Sequence, residues 1–374
     1  MFIVIAILAF GLIIAIHELG HFISARLFDV KVNEFAIGMG PKLLKKQGKE
    51  TLYSLRAIPF GGFCSMEGEH EEGEEPDPRS FLSQKRWKRV IILASGSIAN
   101  FVAALLIVIF LTIGADGFRN TTISYINDFP TEGTYGLLVG DTVKSINGER
   151  LYYANDFFMF MQMSTLNRNY TTSIQDGEEI RHVTIDFVIE RDGQTMKLEN
   201  FPMTLRSVDV NGESVLRYGI SVQFEAIEAT FIEKMKVSFY QVFNYMRMIR
   251  LSLAMLFSGS ASLGDVSGPV GIVSVMNTVG QQAASQFGLL TAILDIISFA
   301  AFIGVNVAVI NLLPIPAMDG GRILFTFITW VIEKTTRKKL DPKYEGYINT
   351  GAFVVLIGLM IVILYNDVAR IIGG

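Results

Sequence analysis

Four stretches of this 374-residue chain are long enough to cross a bilayer and carry almost no charge, and nothing else in it constrains the fold as strongly. A hydrocarbon core about 30 Å thick is crossed by roughly 20 apolar residues in a helix. The stretches are Phe2 to about Phe28, Val90 to Ala115, about Ile296 to Met318, and Gly346 to Asn366. They predict a polytopic α-helical membrane protein with four transmembrane helices. Composition agrees, because 50% of the residues are hydrophobic and only 18% are charged, more apolar surface than a soluble domain of this length can bury. A cleaved signal peptide fits the first stretch poorly: no basic run precedes it and no small-x-small cleavage site follows, so the segment is expected to stay.

Lys and Arg crowd two connections, Arg26 to Arg89 and Arg322 to Lys343, which the positive-inside rule assigns to the cytoplasm. Both chain ends and the 116–290 region then fall outside. A net charge of -4 offers no basic face for a phosphate backbone, so nucleic acid is set aside. Cys64 is the single cysteine, which excludes an intramolecular disulfide and a cysteine zinc knuckle; a buried thiol is expected there. Any metal must be held through nitrogen and oxygen.

Between the spans, Lys31 to Ile37 and Thr51 to Ile58 alternate polar and apolar residues around Gly40-Pro41 and read as a β-hairpin, broken at Gly61-Gly62. The acidic run Glu67 to Asp77, with His70, reads as solvated loop. Tyr135 to Gly148, Val183 to Val188 and Leu216 to Val222 suggest a small β-rich domain, and Phe231 to Phe257 an amphipathic helix lying on a membrane or helix surface rather than a fifth span. The expected segments are therefore 1–28, a first span; 29–89, the hairpin loop; 90–115, a second span; 116–225, the β-rich domain; 226–290, an amphipathic helical region; 291–321, a third span ending in Asp319; 322–345, a loop; and 346–366, a fourth span.

His17-Glu18-Leu19-Gly20-His21 interrupts the first span. Imidazoles four residues apart share a helix face, so both can reach one metal, with Glu18 beside it as a general base. An ionisable group inside a span costs roughly 3 kcal/mol unless it faces protein or water, and two of the four histidines of the chain sit here. A catalytic zinc takes three protein ligands and keeps one position for water. His70 and His182 lie in polar regions, whereas Asp319 closes the third span within Asn311-Leu-Leu-Pro-Ile-Pro-Ala-Met-Asp-Gly-Gly321. Pro314 and Pro316 must break that helix, and irregular backbone at membrane depth survives only beside a cavity or within protein. Asp319 is thus expected as third ligand.

These motifs resemble the site-2 proteases, intramembrane zinc metalloproteases, and among them the bacterial RseP/RasP type. The resemblance rests on His17 to His21 and on Asn311-x-x-Pro-x-Pro-x-Met-Asp-Gly320, supported by Gly38 to Pro41, Pro59-Phe-Gly-Gly-Phe63 and Ser267-Gly-Pro-Val-Gly271. Met318 departs from the Leu usual before the Asp. The resemblance implies one PDZ-like domain at 116–225, a membrane-associated hairpin, and functional weight on Asn311, with Asn306 a weaker candidate. It further implies one Zn2+, a bacterial inner-membrane location with the site toward the cytoplasm and the PDZ-like domain outside, and single-span substrates such as anti-sigma factors or remnant signal peptides, usually cut first by another protease. The PDZ-like domain is expected to bind an extended peptide end or to filter substrates by size.

Two other classes are weighed. A silent membrane adaptor would not need the complete ligand set, and a metal-dependent oxidase or di-iron bundle would need more histidines or a second Glu-x-x-His pair.

Overall fold

A computed structural model describes residues 1–69, 77–127, 135–165, 170–175, 178–210, 213–218, 220–259, 266–337 and 343–373. In chain order the elements are α1 (Phe2–Leu27), β1 (Val32–Gln47), β2 (Leu52–Met66), α2 (Arg86–Thr112), β3 (Gly117–Asn127), β4 (Thr142–Ile146), β5 (Glu149–Arg150) and α3 (Ala154–Thr165). There follow β6 (Tyr170–Gln175), β7 (Glu178–Arg191), β8 (Gln194–Val210), β9 (Glu213–Arg217), β10 (Ser221–Glu228), α4 (Phe231–Phe257), α5 (Pro269–Phe287), α6 (Leu289–Leu312), α7 (Asp319–Thr336) and α8 (Lys343–Gly373). Among the described residues, four helices are long and apolar enough to cross a membrane: α1, α2, α6 and Gly346–Ala369 within α8. The chain divides into two compact units.

The first unit comprises Met1–Leu111, Gln241–Leu251 and Ser262–Gly374. Its core joins α1, α5 and α6 through Ala6, Ile13, Met276, Ala283, Ile296 and Ile303, all buried. A second cluster of Ala25, Val30, Cys64, Phe81, Ile92 and Leu93 seats β1 and β2 against the ends of α1 and α2. The last span is tied to α5 by a carboxylate. Buried Asp367 accepts hydrogen bonds from the amides of Gly268 (3.2 Å) and Gly271 (2.8 Å), free donors at the start of α5. That gives Ser267-Gly-Pro-Val-Gly271 a structural role.

β1 and β2 form more than the simple hairpin expected. Residues 32–37 of β1 pair with 62–66 of β2 on one side and with Leu52–Leu55 on the other, while Leu44–Gln47 pairs with the far side of Leu52–Leu55. The segments lie in the order 62–66, 32–37, 52–55, 44–47. Thr51 to Ile58, read from the sequence as one strand of a two-stranded hairpin, is therefore interior, with pairing on both sides across Leu52–Leu55. The outer segments are 62–66 and 44–47, because each strand folds back on itself at its glycine-containing bend.

The expected third span and following loop also need correction. Helix α6 stops at Leu312, and Asp319 is the first residue of a separate helix, α7, which occupies most of the segment expected as loop. Prolines at 314 and 316 end α6 because neither can donate a helical hydrogen bond. The chain then doubles back so tightly that a Cβ on Gly320 would strike the carbonyls of Leu312 and Leu313, and one on Gly321 the carbonyl of Ile315. Ala317 takes a left-handed φ of 71° there, its amide held by Asn349 Oδ1 on α8 at 3.1 Å.

The second unit comprises Thr112–Tyr240 and Ser252–Ala261. Its sheet runs β10-β3-β4-β7-β8-β9, with β5 on β4 and β6 on β7. Ile123, Val143, Ile146, Phe157, Ile185, Phe187, Phe201 and Phe224 fill its core. Asp141, 1% exposed, takes two hydrogen bonds of 2.7 Å from the Arg191 guanidinium and one of 2.7 Å from the Leu138 amide, fixing the turn before β4. Helix α3 was not expected. Its aromatic run Phe157, Phe158 and Phe160 favours strand by propensity, but Asp156 accepts from the amides of Tyr152 and Tyr153 and caps a helix instead. Helix α4 spans the amphipathic stretch read from the sequence, opened by Thr230, whose hydroxyl accepts from the Glu233 amide.

Candidate metal centre

His17 and His21 stand one turn apart on α1, each 6% exposed. Their Nε2 atoms are 3.2 Å apart, and Asp319 Oδ2 lies 3.1 Å from that of His17 and 3.3 Å from that of His21. One ligand atom from each of the three falls within 4.8 Å of the others. Asn311 Nδ2 is 3.3 Å from His17 Nε2. The break after α6 makes this convergence possible, since it lets Asn311 close one helix and Asp319 open the next within one pocket.

Whether these residues suit a metal turns on where the protons are. His21 Nδ1 lies 2.8 Å from the carbonyl of Ile92 on α2. A carbonyl only accepts, so Nδ1 carries a proton, and Nε2, which faces His17 and Asp319, is the atom that could bind a metal. Two imidazole nitrogens and a carboxylate crowded onto one point, in a setting with a single cysteine, are a nitrogen and oxygen donor set that could hold zinc through three ligands.

Helix α2 forms the back wall. A Cβ on Gly96 would lie 2.8 Å from His17 Cε1 and closer still to His21 Nε2, so only a glycine leaves room for both rings. The helices also approach at Gly20, where a Cβ would strike the Ser95 carbonyl. Ser24 and Ser95 bond across the seam at 2.7 Å. Ile92 and Gly96 were not singled out from the sequence; the small-residue run Ala94-Ser-Gly-Ser97 inside an apolar span was their one signal.

On the opposite side lies β2. A Cβ on Gly62 would be 3.2 Å from Glu18 Cγ, so the strand runs directly over the glutamate. Glu18, His17, His21, Asn311, Asp319, Arg322 and Glu69 line one pocket with Gly61 to Cys64 and Met66. Cys64 is buried in that wall, and burial raises its thiol pKa well above the usual range, which disfavours the nucleophilic thiolate.

Other candidates fall away from the centre. The Asn306 amide, expected as a weaker functional group, donates to Phe302 O at 2.9 Å within its own helix and is not among the pocket residues. Five residues before Asn311, it is on another face of α6. His182 lies on β7 in the second unit, 2.9 Å from Ser173 Oγ. His70 is outside the described residues.

Residues 5–359 match peptidase family M50. The chain belongs to that family, the site-2 proteases. A protein of Clostridium acetobutylicum bearing a zinc metalloprotease name is 37% identical over 98% of this chain and 97% of its own length. One of Fusobacterium nucleatum with a similar name is 33% identical over 98% of both chains. The regulator of sigma-W protease RasP of Bacillus subtilis is 26% identical over 98% of this chain and 97% of its own. The chain is accordingly a zinc metalloprotease, multi-pass in the membrane and engaged in intramembrane proteolysis.

Proposed function

We propose that this chain cuts single-span membrane proteins at a centre where His17, His21 and Asp319 hold one zinc ion and Glu18 is the catalytic base. The convergence of the three ligand atoms beside Glu18, in the pocket walled by Gly61 to Met66, carries this reading. Zinc supplies a Lewis acid that polarises a peptide carbonyl and lowers the pKa of a water toward roughly 7. Glu18 takes the proton from the attacking water and returns it to the leaving amine. Asn311 orients the substrate backbone or supports the developing oxyanion.

A substrate helix hides its amides in internal hydrogen bonds and must unwind before it can be cut. The outer segment 62–66 can hold the unwound chain, pairing with it as an added strand. Its place beside Glu18 supports this edge over the interior Leu52–Leu55 pairing region.

The β-rich second unit is read as the PDZ-like module, outside the cell membrane, which binds a peptide end or admits only shortened substrates. The pocket is assigned to the cytoplasmic side of a bacterial inner membrane, from the basic connections Arg26 to Arg89 and Arg322 to Lys343. RasP is named for regulating sigma-W, which favours anti-sigma factors among the substrates, with remnant signal peptides a second class and an earlier external cut usual for both.

The test is cleavage of a tagged single-span substrate by the purified protein in liposomes, with its external part intact or shortened and with or without a zinc chelator. Cleavage of the shortened form alone, abolished by the chelator, is expected. Cleavage unaffected by the chelator contradicts the metal mechanism, and equal cutting of both forms contradicts the filter.

A further inference from the structure

We propose that Glu69 and Arg322 form a register pin that fixes which peptide bond of a paired substrate meets the metal. The inference rests on the reading that the substrate pairs with segment 62–66. Glu69 follows that segment, and its two carboxylate oxygens face different elements. Oε2 accepts from the Met66 amide at 3.2 Å, at the last residue of the edge. Oε1 pairs with the Arg322 guanidinium, one turn past Asp319 on α7. One carboxylate thus ties the substrate edge to the helix that carries a metal ligand.

The pair is built as a strut. The Glu69 and Arg322 side chains are 10% and 17% exposed, so water competes weakly for either. The guanidinium sits over the ring of fully buried Phe81 at 5.2 Å, and the Phe81 amide donates to Glu67 O at 2.8 Å. Arg322 is therefore held from the side as well as from its end. Strand residues are spaced about 3.3 Å apart, so a comparable slide of the edge past α7 would present a neighbouring bond. Side chains alternate with a period of two, so a slip of about two residues keeps the same faces toward the enzyme and is the easiest error. Glu69 and Arg322 are positioning residues; the chemistry stays with Glu18 and the ligands.

Ser65 lies in the outer segment and is half-buried, whereas the chain's single cysteine, Cys64, is buried, so a Ser65→Cys substitution combined with Cys64→Ala gives an accessible thiol that reports register. In the full-length protein, cut bonds of a single-span substrate are mapped by mass spectrometry for wild type, Glu69→Gln and Arg322→Gln. In a Glu18→Gln background carrying Cys64→Ala and Ser65→Cys, disulfide trapping between position 65 and single cysteines placed along the substrate gives the pairing position. Wild type should cut one bond, and the trapping background with Glu69 and Arg322 intact should trap one position. The two variants should keep wild-type zinc content, add a cut displaced by about two residues, and trap the matching position. Glu69→Gln keeps an acceptor for Met66 and decides the matter if Arg322→Gln fails to fold. Variants that cut the same single bond and trap the same position, however slowly, overturn the pin. No trapping at any substrate position in that background with Glu69 and Arg322 intact overturns the pairing reading, and the pin with it.

Discussion

Ile92 offers its carbonyl to His21 Nδ1 at 2.8 Å, and this one bond determines which ring nitrogen faces His17 and Asp319. Helix α2 thereby takes part in the centre without contributing a ligand. Gly96 completes the arrangement by leaving space for both imidazoles.

Gly96→Ala should displace one or both rings, because the added methyl has no flexible neighbour to push aside. Disturbing the support of a ligand typically lowers metal affinity or activity about 10- to 100-fold. Zinc content after dialysis and cleavage rate should fall together. A variant with wild-type zinc and full activity would show that α2 does not position the ligands.

The two asparagines of α6 should separate cleanly. Asn311 reaches the centre, whereas the Asn306 amide is bonded to Phe302 O. Asn311→Ala should lower kcat by about 100- to 1000-fold, the range for removing one transition-state donor. Asn306→Ala should change kcat little. Equal losses would mean that both act through the fold of α6 and not at the centre.

Much of the centre was legible because its chemistry is local in sequence. His17, Glu18 and His21 share one turn, and a charged group in an apolar span demands a reason. Asp319 could be read because two prolines forced a break beside it. The α7 helix was harder to see: after that break, charges at both ends of 319–336 resembled a connection, while its apolar face became meaningful only once packed. The interior position of Leu52–Leu55 was likewise hidden, since alternation identifies a strand but not which partners flank it. Ile92 acts through its backbone, which no side-chain pattern records.

Asp367 should be needed for stability. It accepts from two amides at the start of α5 and is 3% exposed, so Asp367→Ala leaves Gly268 and Gly271 donors unsatisfied. A loss of about 1–3 kcal/mol is expected, seen as a lower Tm in detergent. An unchanged Tm would show that α8 is held by other contacts.

Acid should loosen the β1–β2 sheet through Glu34. Desolvation raises its pKa, but hydrogen bonds from Ser54, Arg56 and Lys42 outweigh this and bring it down from 4.5 to about 2. The folded-state pKa is lowered, so this stabilisation is fully present above 4.5 and is lost as pH falls toward 2. Protection of the sheet amides against hydrogen exchange, relative to the intrinsic rate at each pH, should fall over that window in wild type. Glu34→Gln should flatten the pH dependence; an identical acid profile in the variant would assign it to other groups.

The most direct measurement is zinc content and single-span substrate cleavage, compared between wild type and Glu18→Gln in the same liposomes. With Glu18 as base and not ligand, the variant should retain wild-type zinc while cleavage falls by about 10²- to 10⁴-fold. If Glu18→Gln cleaves as fast as wild type, the proton transfer assigned to Glu18 is wrong.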